Sequence, residues 1–349
     1  MIRKKTDKAL VFLLNHMNYG GCQKIVFDLL SGVYESFDVV YLIAEKGYYS
    51  DLLIKTTSIQ FIDRTNISIF GVVKEIQKIQ TKCPSLILHT HNRIDILFKY
   101  TLRKSDNHLH TFHSAYLNKN YLYKFIKPEK AISISKTVKD YLNKYNIDNE
   151  MIYNGISINN SKPYCKTKEL DIPKILYIGR LSKEKGFDNI LKALLTYKSN
   201  QFNHIQFDVI GEGKNVEEYN KMIVNSGGNL KMNLKGYRPN PWDNINEYDL
   251  LIIPSYFEGF CLVAVEGASI GIPILSNDIL ALREVLDFSQ DSNFFNIQDL
   301  NSIHTTIFKS LTEISIQREL ALNNAERIKN KFSKEKMLLN YLRIYETFS

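Results

Sequence analysis

The chain has no apolar run of the ~18–20 residues that a bilayer-spanning helix requires. Its early run ALVFLL (9–14) is six residues long and reads as a buried strand. It lacks both the length and the small-residue cleavage site of a signal peptide, so a cytoplasmic location is expected. Cysteine is scarce: Cys22, Cys83, Cys165 and Cys261 stand far apart with no C-x-x-C pair. That spacing argues for reduced thiols and against a zinc knuckle. There is no D-x-D pair to seat a metal–diphosphate and no G-x-G-x-x-G dinucleotide fingerprint. Short-period repeats and low-complexity segments are also missing.

What is present is the composition of an ordinary globular protein, 44% hydrophobic and 23% charged over 349 residues. That length suits about two domains with sizeable cores. The net charge of +8 is one-sided. Residues 1–152 hold 22 Lys and Arg against 14 Asp and Glu, whereas the 23 bases and 23 acids that follow cancel. A basic first half suggests a polyanionic partner, an anionic membrane surface or nucleic acid. No nucleic-acid module or stacking platform accompanies the charge, which favours the membrane.

Strand and helix patterns alternate throughout. ALVFLL, FDVVYLIAE, PSLILHTH, HLHTFHS and KAISIS read as buried strands, with helical patterns such as CQKIVFDLLSGV, IFGVVKEIQKIQ and KTVKDYLNKYN between them. Residues 154–173 are polar and turn-rich, as a linker would be. The alternation restarts at KILYIG and runs through IQFDVIGEG, NLKMNLKGY, YDLLIIPS and PILSN to an amphipathic helical tail. The expected fold class is α/β, with two Rossmann-like domains, each a parallel sheet covered by helices, facing each other across a cleft.

Two carboxylates carry the sharpest chemical signal. Glu258 and Glu266 bracket EGFCLVAVE, the first in a loop after a buried strand and the second about two turns into the following helix. A helix start offers unpaired N–H groups and partial positive charge to an anion such as a nucleotide diphosphate. Ligands of open α/β sheets sit at that carboxyl edge. The second motif, YIGRLSKEKGFDNIL, ends a strand at Gly179 and places Arg180 and Lys185 before a helix that starts near Asp188. A single lysine in such a loop is ordinarily solvated surface. Two cations on the same edge as Glu258 suit a diphosphate. In NYGGCQK, Gly20 and Gly21 would let backbone approach a ligand, although a GG pair is commonly a plain turn.

Five of the eight histidines lie in two strands and their ends. His89 and His91, or His108 and His110, could share a face and pair on a metal, but no clustered carboxylate or thiolate completes such a set. One or two of these rings are expected in the core, with His113 at the cleft. Immediately downstream, AYLNKNYLYKFIKPEK interleaves Tyr116, Tyr121, Tyr123 and Phe125 with Lys119, Lys124, Lys127 and Lys130. Aromatic bodies with a basic rim suit a membrane interface; a solvated loop with inward tyrosines is the plain alternative.

ILYIGRLSKEKGFDNIL, VIGEGK and SYFEGFCLVAVEGASIGIPIL together resemble the retaining GT-B glycosyltransferases of family 4, and NYGGCQK, LILHTHN, HTFHS, ISISKTV and IYNGI match that family in order. The resemblance covers essentially the whole chain. It implies an acceptor-binding domain over 1–152, a nucleotide-sugar-binding domain over 153–333 and a last helix, 334–349, that crosses back onto the first domain. It implies that Arg180 and Lys185 hold the donor diphosphate and Glu266 the nucleotide ribose. Glu258 and the backbone of Gly259, Phe260, Cys261 and Leu262 would contact the transferred sugar and its phosphate. His113 would face the reacting sugar, Gly20 and Gly21 would close over the phosphates, and Tyr237 and Arg238 would meet the base. Cys261 stands where the family often has a glycine, proline or similar small residue. Gln23 replaces its usual acid.

The activity so implied is metal-independent hexosyl or N-acetylhexosaminyl transfer, without cofactor, to a lipid-linked or lipopolysaccharide acceptor at the inner face of the cytoplasmic membrane. NPW (240–242) resembles UDP-hexose users among these enzymes, pointing to a UDP-sugar. Two other readings share the architecture: a UDP-sugar 2-epimerase, which needs no acceptor, and a non-catalytic partner subunit.

Overall fold

The computed structural model describes residues 6–102, 107–115, 123, 125–157, 163–166, 172–197, 202, 204–213, 216–224 and 230–348. The chain divides into two compact units, Met1–Gly155 with Phe332–Ser349, and Ile156–Lys331.

The first unit is built on a seven-stranded parallel sheet. Its strands are β1 (Thr6–His16), β2 (Phe37–Glu45), β3 (Gln60–Asp63), β4 (Leu86–Thr90), β5 (His108–Phe112), β6 (Lys130–Ser133) and β7 (Glu150–Met151), in the order β3-β2-β1-β4-β5-β6-β7. β1 pairs in parallel with β2 on one side and β4 on the other. Its Val11 and Leu13 join Ile43 and Leu88 under Val72 and Ile76 of the helix Ile69–Lys82. That helix starts where Ser68 Oγ accepts the Gly71 N–H, a side-chain cap.

The last helix, Lys334–Glu346, belongs to this unit although the whole second unit precedes it in sequence. Its buried Met337, Tyr341, Ile344 and Tyr345 repeat at helical spacing, and Lys334 Nζ pairs with Asp28 Oδ1 at 2.7 Å. Leu338 lies so close to Gly32 that a Cβ there would come within 2.4 Å of it.

The second unit carries six parallel strands: β8 (Lys174–Ile178), β9 (Ile205–Ile210), β10 (Leu230–Leu234), β11 (Leu250–Ile253), β12 (Ile274–Asn277) and β13 (Phe294–Phe295). Their order is β10-β9-β8-β11-β12-β13. Both sheets therefore reverse direction beside their first strand, and each has its switch point there, between β1 and β4 or between β8 and β11.

Three sequence expectations change at this level, and two elements went unread. Glu266 lies about one turn into its helix, because the helix begins at Leu262 with Cys261 as N-cap and EGFC remains loop. The linker over 154–173 is anchored where it is described. Tyr164 is buried, donating its backbone N–H to Ile270 O and its hydroxyl to Tyr248 O, and Lys166 pairs with Asp249 at 2.6 Å. Four histidines, His89, His91, His108 and His110, are buried rather than one or two. The short strand β3 and the helix Ile314–Lys331 carry too little periodic pattern to be read from sequence, the strand being four residues of mixed exposure.

Candidate functional site

Because all strands of the second sheet are parallel, the loops after β8, β9, β10 and β11 emerge at one edge. Close backbone approaches hold them together. Gly186 is left-handed at φ +69°, and a Cβ on it would lie 1.9 Å from Pro254 O, so the loop after β8 meets the loop after β11 through a glycine. A Cβ on Gly211 would similarly lie 1.9 Å from Gly179 O, joining the loops after β8 and β9. Tyr256 N donates to Glu184 O at 3.0 Å, and Gly211 N to Gly236 O at 2.9 Å.

This packing brings together residues 73 positions apart. Lys185 Nζ lies 2.6 Å from Glu258 Oε1, and Ser255 Oγ donates to the same oxygen at 2.7 Å. Ser255 is held in turn by Asn277, whose Nδ2 donates to Ser255 O at 3.0 Å. Lys185 closes the 3₁₀ turn Lys183–Lys185, one residue before the helix Phe187–Thr196. Glu258 is buried, three residues before the N-cap of the helix Leu262–Ile270, and no side chain caps that N-terminus. The switch point between β8 and β11 thus gathers an ammonium, a carboxylate and two helix starts.

Arg180 is on the same edge but points to water. Its side chain is 74% exposed and pairs with Glu184 at 3.3 Å. Its carbonyl accepts the buried Tyr177 hydroxyl at 2.7 Å, and burial pushes that phenol's pKa up. Cys261 is a buried thiol, also raised by burial and by the nearby Glu258 charge. Phe260 is buried beside it, with Gly259 between Glu258 and Phe260. Glu266 accepts a hydrogen bond from Trp242 Nε1 at 3.0 Å. Tyr237 and Arg238 are exposed after β10, two strands from β8 and hence roughly 10 Å away at the usual strand spacing. Tyr237 N donates to Glu212 Oε1 at 3.4 Å.

On the first unit, Gly20 caps the helix Gly21–Val33 in extended backbone, again with no side-chain cap, and a Cβ there would lie 2.3 Å from Gln23 Oε1. The loop it ends follows β1 at the switch point beside β4. His113 follows β5. Its Nε2 lies 3.0 Å from His91 Nδ1, and His91 stacks on Phe12 with centroids 5.1 Å apart. Burial lowers both rings' pKa, that of His113 to about 4, so at neutral pH one neutral ring donates to the other.

The other histidines are occupied structurally. His89 bonds Tyr345 of the last helix at 2.7 Å and Thr111 at 2.8 Å, while His108 and His110 converge on Thr90 Oγ1 at 2.9 and 2.7 Å. Among the described residues no group of three or more potential ligands could hold a metal ion. Of the aromatic–basic segment, Tyr116, Lys119, Tyr121 and Lys124 lie outside the described residues. Tyr123 is buried and Phe125 exposed.

The sequence pointed to neither Ser255 nor Glu212, and it raised Trp242 only within NPW and His91 only as a partner of His89 on a metal. Trp242 is the chain's single tryptophan, two residues beyond Asn240 in NPW, and His91 repeats the spacing of His89; those were the available signals.

Residues 166–319, most of the second unit, match the family described as Glycosyl transferases group 1. A 41.2 kDa uncharacterised protein of the cps region of Klebsiella pneumoniae is 28% identical over 211 residues, 57% of this chain and 55% of that protein. The lipopolysaccharide 1,6-galactosyltransferase of Salmonella typhimurium is 28% identical over 158 residues, 43% of each. The chain thus spans about half the length of the curated relatives it matches. Anabaena HepE, solved with UDP and glucose, superposes with a TM-score of 0.78 at 14% identity, over 97% of this chain and 99% of that one. Each unit is a Rossmann-like domain, and the fold class is GT-B.

Proposed function

We propose that this protein is a retaining glycosyltransferase of family 4, moving a hexose or N-acetylhexosamine from a UDP-sugar to a lipid-linked or lipopolysaccharide glycan. The observation that carries the reading is the Lys185–Glu258 pair at the switch point, set between two helix N-termini with the Arg180 side chain free to reach solvent. The match of 166–319 and the names of the relatives support it. The binding of UDP by HepE supports a uridine nucleotide.

Transfer from a nucleotide-sugar builds positive charge on the anomeric carbon and negative charge on the departing diphosphate. Lys185, Arg180 and the Leu262 helix start present preorganised positive ends to that negative charge. Lys185 has three N–H donors, so it can hold Glu258 and still serve a phosphate oxygen. Glu258, fixed by Ser255 and Lys185, is placed to accept from sugar hydroxyls. Glu266, oriented by Trp242, would receive the ribose; Gly259, Phe260, Cys261 and Leu262 would line the sugar phosphate through their backbone, and Tyr237 and Arg238 would flank the base. From the first unit, His113 would face the sugar and Gly20 and Gly21 the phosphates. In front-face retention the leaving oxygen takes the acceptor proton, so no protein base is required. Neither metal nor cofactor enters the scheme.

The test is turnover of UDP- and GDP-sugars with lipid-linked and lipopolysaccharide acceptors, reading the product anomer by NMR. Transfer with the donor's configuration, undiminished by chelator, is expected. Inversion would refute retention, and sugar interconversion without acceptor would establish an epimerase instead.

A further inference from the structure

We infer that His91 is a positioning residue: it holds His113 Nε2, so that Nδ1 is the nitrogen His113 presents to the transferred sugar. The inference rests on the proposed function, which sets His113 before that sugar.

Strand alternation builds the arrangement. His89 on β4 lies in register with Phe12 on β1, and Thr90 with His110 on β5. Successive side chains of a strand point to opposite faces, so Phe12, His89, His91, Thr111 and His113 share one face. His91 and His113 each stand one residue beyond their strands, at the carboxyl edge. The x, x+2 spacing of His89 and His91 thus makes a column of rings. His91 stacks on Phe12 with 20° between the planes, and on His89 with centroids 4.2 Å apart. His89 is fixed at both nitrogens, by Tyr345 and by Thr111. The His91 backbone N–H donates to Leu13 O at 3.2 Å. His91 is 1% exposed, whereas His113 is half-buried. The inner ring is therefore the clamped one, and the outer ring takes its orientation from it.

Packing alone gives no reason for an imidazole here. His91 Nε2 is buried without a partner among the described residues, a cost that a phenylalanine in the same stack would avoid. What the imidazole adds is Nδ1, 3.0 Å from His113 Nε2. Both rings are neutral at neutral pH, since burial lowers their pKa. A neutral imidazole has one donor and one acceptor nitrogen. With Nε2 committed to His91, His113 is held in one tautomer, and its Nδ1 takes the opposite hydrogen-bonding role towards a sugar hydroxyl.

The experiment combines nitrogen NMR of the histidine rings in the full chain with steady-state kinetics on variants. Native His113 should show one donor and one acceptor nitrogen rather than averaged shifts. Adding the UDP-sugar that the protein turns over should move Nδ1 and leave Nε2 close to its place; the reverse would overturn the inference. His91→Phe keeps the stack and removes the contact. It should melt no lower, average the two His113 nitrogens and lose at least about ten-fold in kcat, with KM for the donor within about two-fold. His91→Asn returns a polar group near the Nδ1 position and should recover most of that loss. In a His113→Ala background, His91→Phe should cost nothing further, because the two act as one unit. Full kcat in His91→Phe, or an equal loss with and without His113, would also overturn the inference. A single His113 tautomer in a protein that turns over no donor would uphold the pairing and remove the glycosyltransferase reading instead.

Discussion

At the residue scale, Lys185 and Glu258 stand or fall together. Each cation that stabilises the departing diphosphate by ~2–3 kcal/mol more than the bound donor is worth ~30–150-fold in rate. Lys185→Ala should lose at least that in kcat, because it also leaves the buried Glu258 without its cation. Arg180→Ala should lose a similar factor with no change in melting temperature, since its side chain is 74% exposed and its ion pair is with the exposed Glu184. Steady-state kinetics and calorimetry on the pair check both, and full activity in both variants would dismiss the site. Trp242→Phe keeps the ring but removes the indole donor to Glu266. If Glu266 holds the ribose, KM for the UDP-sugar should rise several-fold while kcat changes less.

At the element scale, the site depends on close approaches between loops. Gly186→Ala would force a left-handed residue, costing about 1–2 kcal/mol, and drive a methyl into Pro254 O. The loop after β8 should then retreat from the loop after β11. Reduced stability and reduced donor binding together, measured by thermal unfolding and UDP titration, are the expected outcome. Most of these elements were legible. YDLLIIPS and KILYIG became β11 and β8, and their loops carry the expected Glu258, Arg180 and Lys185. Illegible were the 3₁₀ turn that delivers Lys185 and the one-turn depth of Glu266, because both depend on where a helix nucleates.

At the scale of the whole molecule, the first unit is closed by a helix encoded at the far end of the chain. Tyr345→Phe would leave His89 Nδ1 buried and unpaired, costing about 1–3 kcal/mol in the first unit alone. Separate unfolding of the two units, followed by hydrogen exchange, should show protection lost around β4 and β5 and kept in the second unit. The buried histidines also impose a pH dependence. Unfolded, each binds a proton below its ordinary 6.5; folded, His113 does so only near 4 and His108 near 3. Between about 6.5 and 4 the unfolded state thus holds more protons, and stability falls as the pH falls. Asp95 acts oppositely: burial raises its pKa to about 7, so it favours the folded state as pH falls from 7 towards 4. One acid against five lowered histidines leaves the net slope downward, and the first unit's melting temperature should drop between pH 7 and pH 5.

Sequence alone determined the alternation of strands and helices, the two-part α/β plan, the basic first half and the edge on which Arg180, Lys185, Glu258 and Glu266 would lie. Those follow from local periodicity and from the rule that parallel strands end together. Tertiary structure decided that Ser255 and Lys185 share one oxygen of Glu258, that Trp242 orients Glu266, and that four histidines are core residues while His91 backs His113. Each of these depends on atoms brought within 3 Å from distant parts of the chain, by packing that no local pattern encodes.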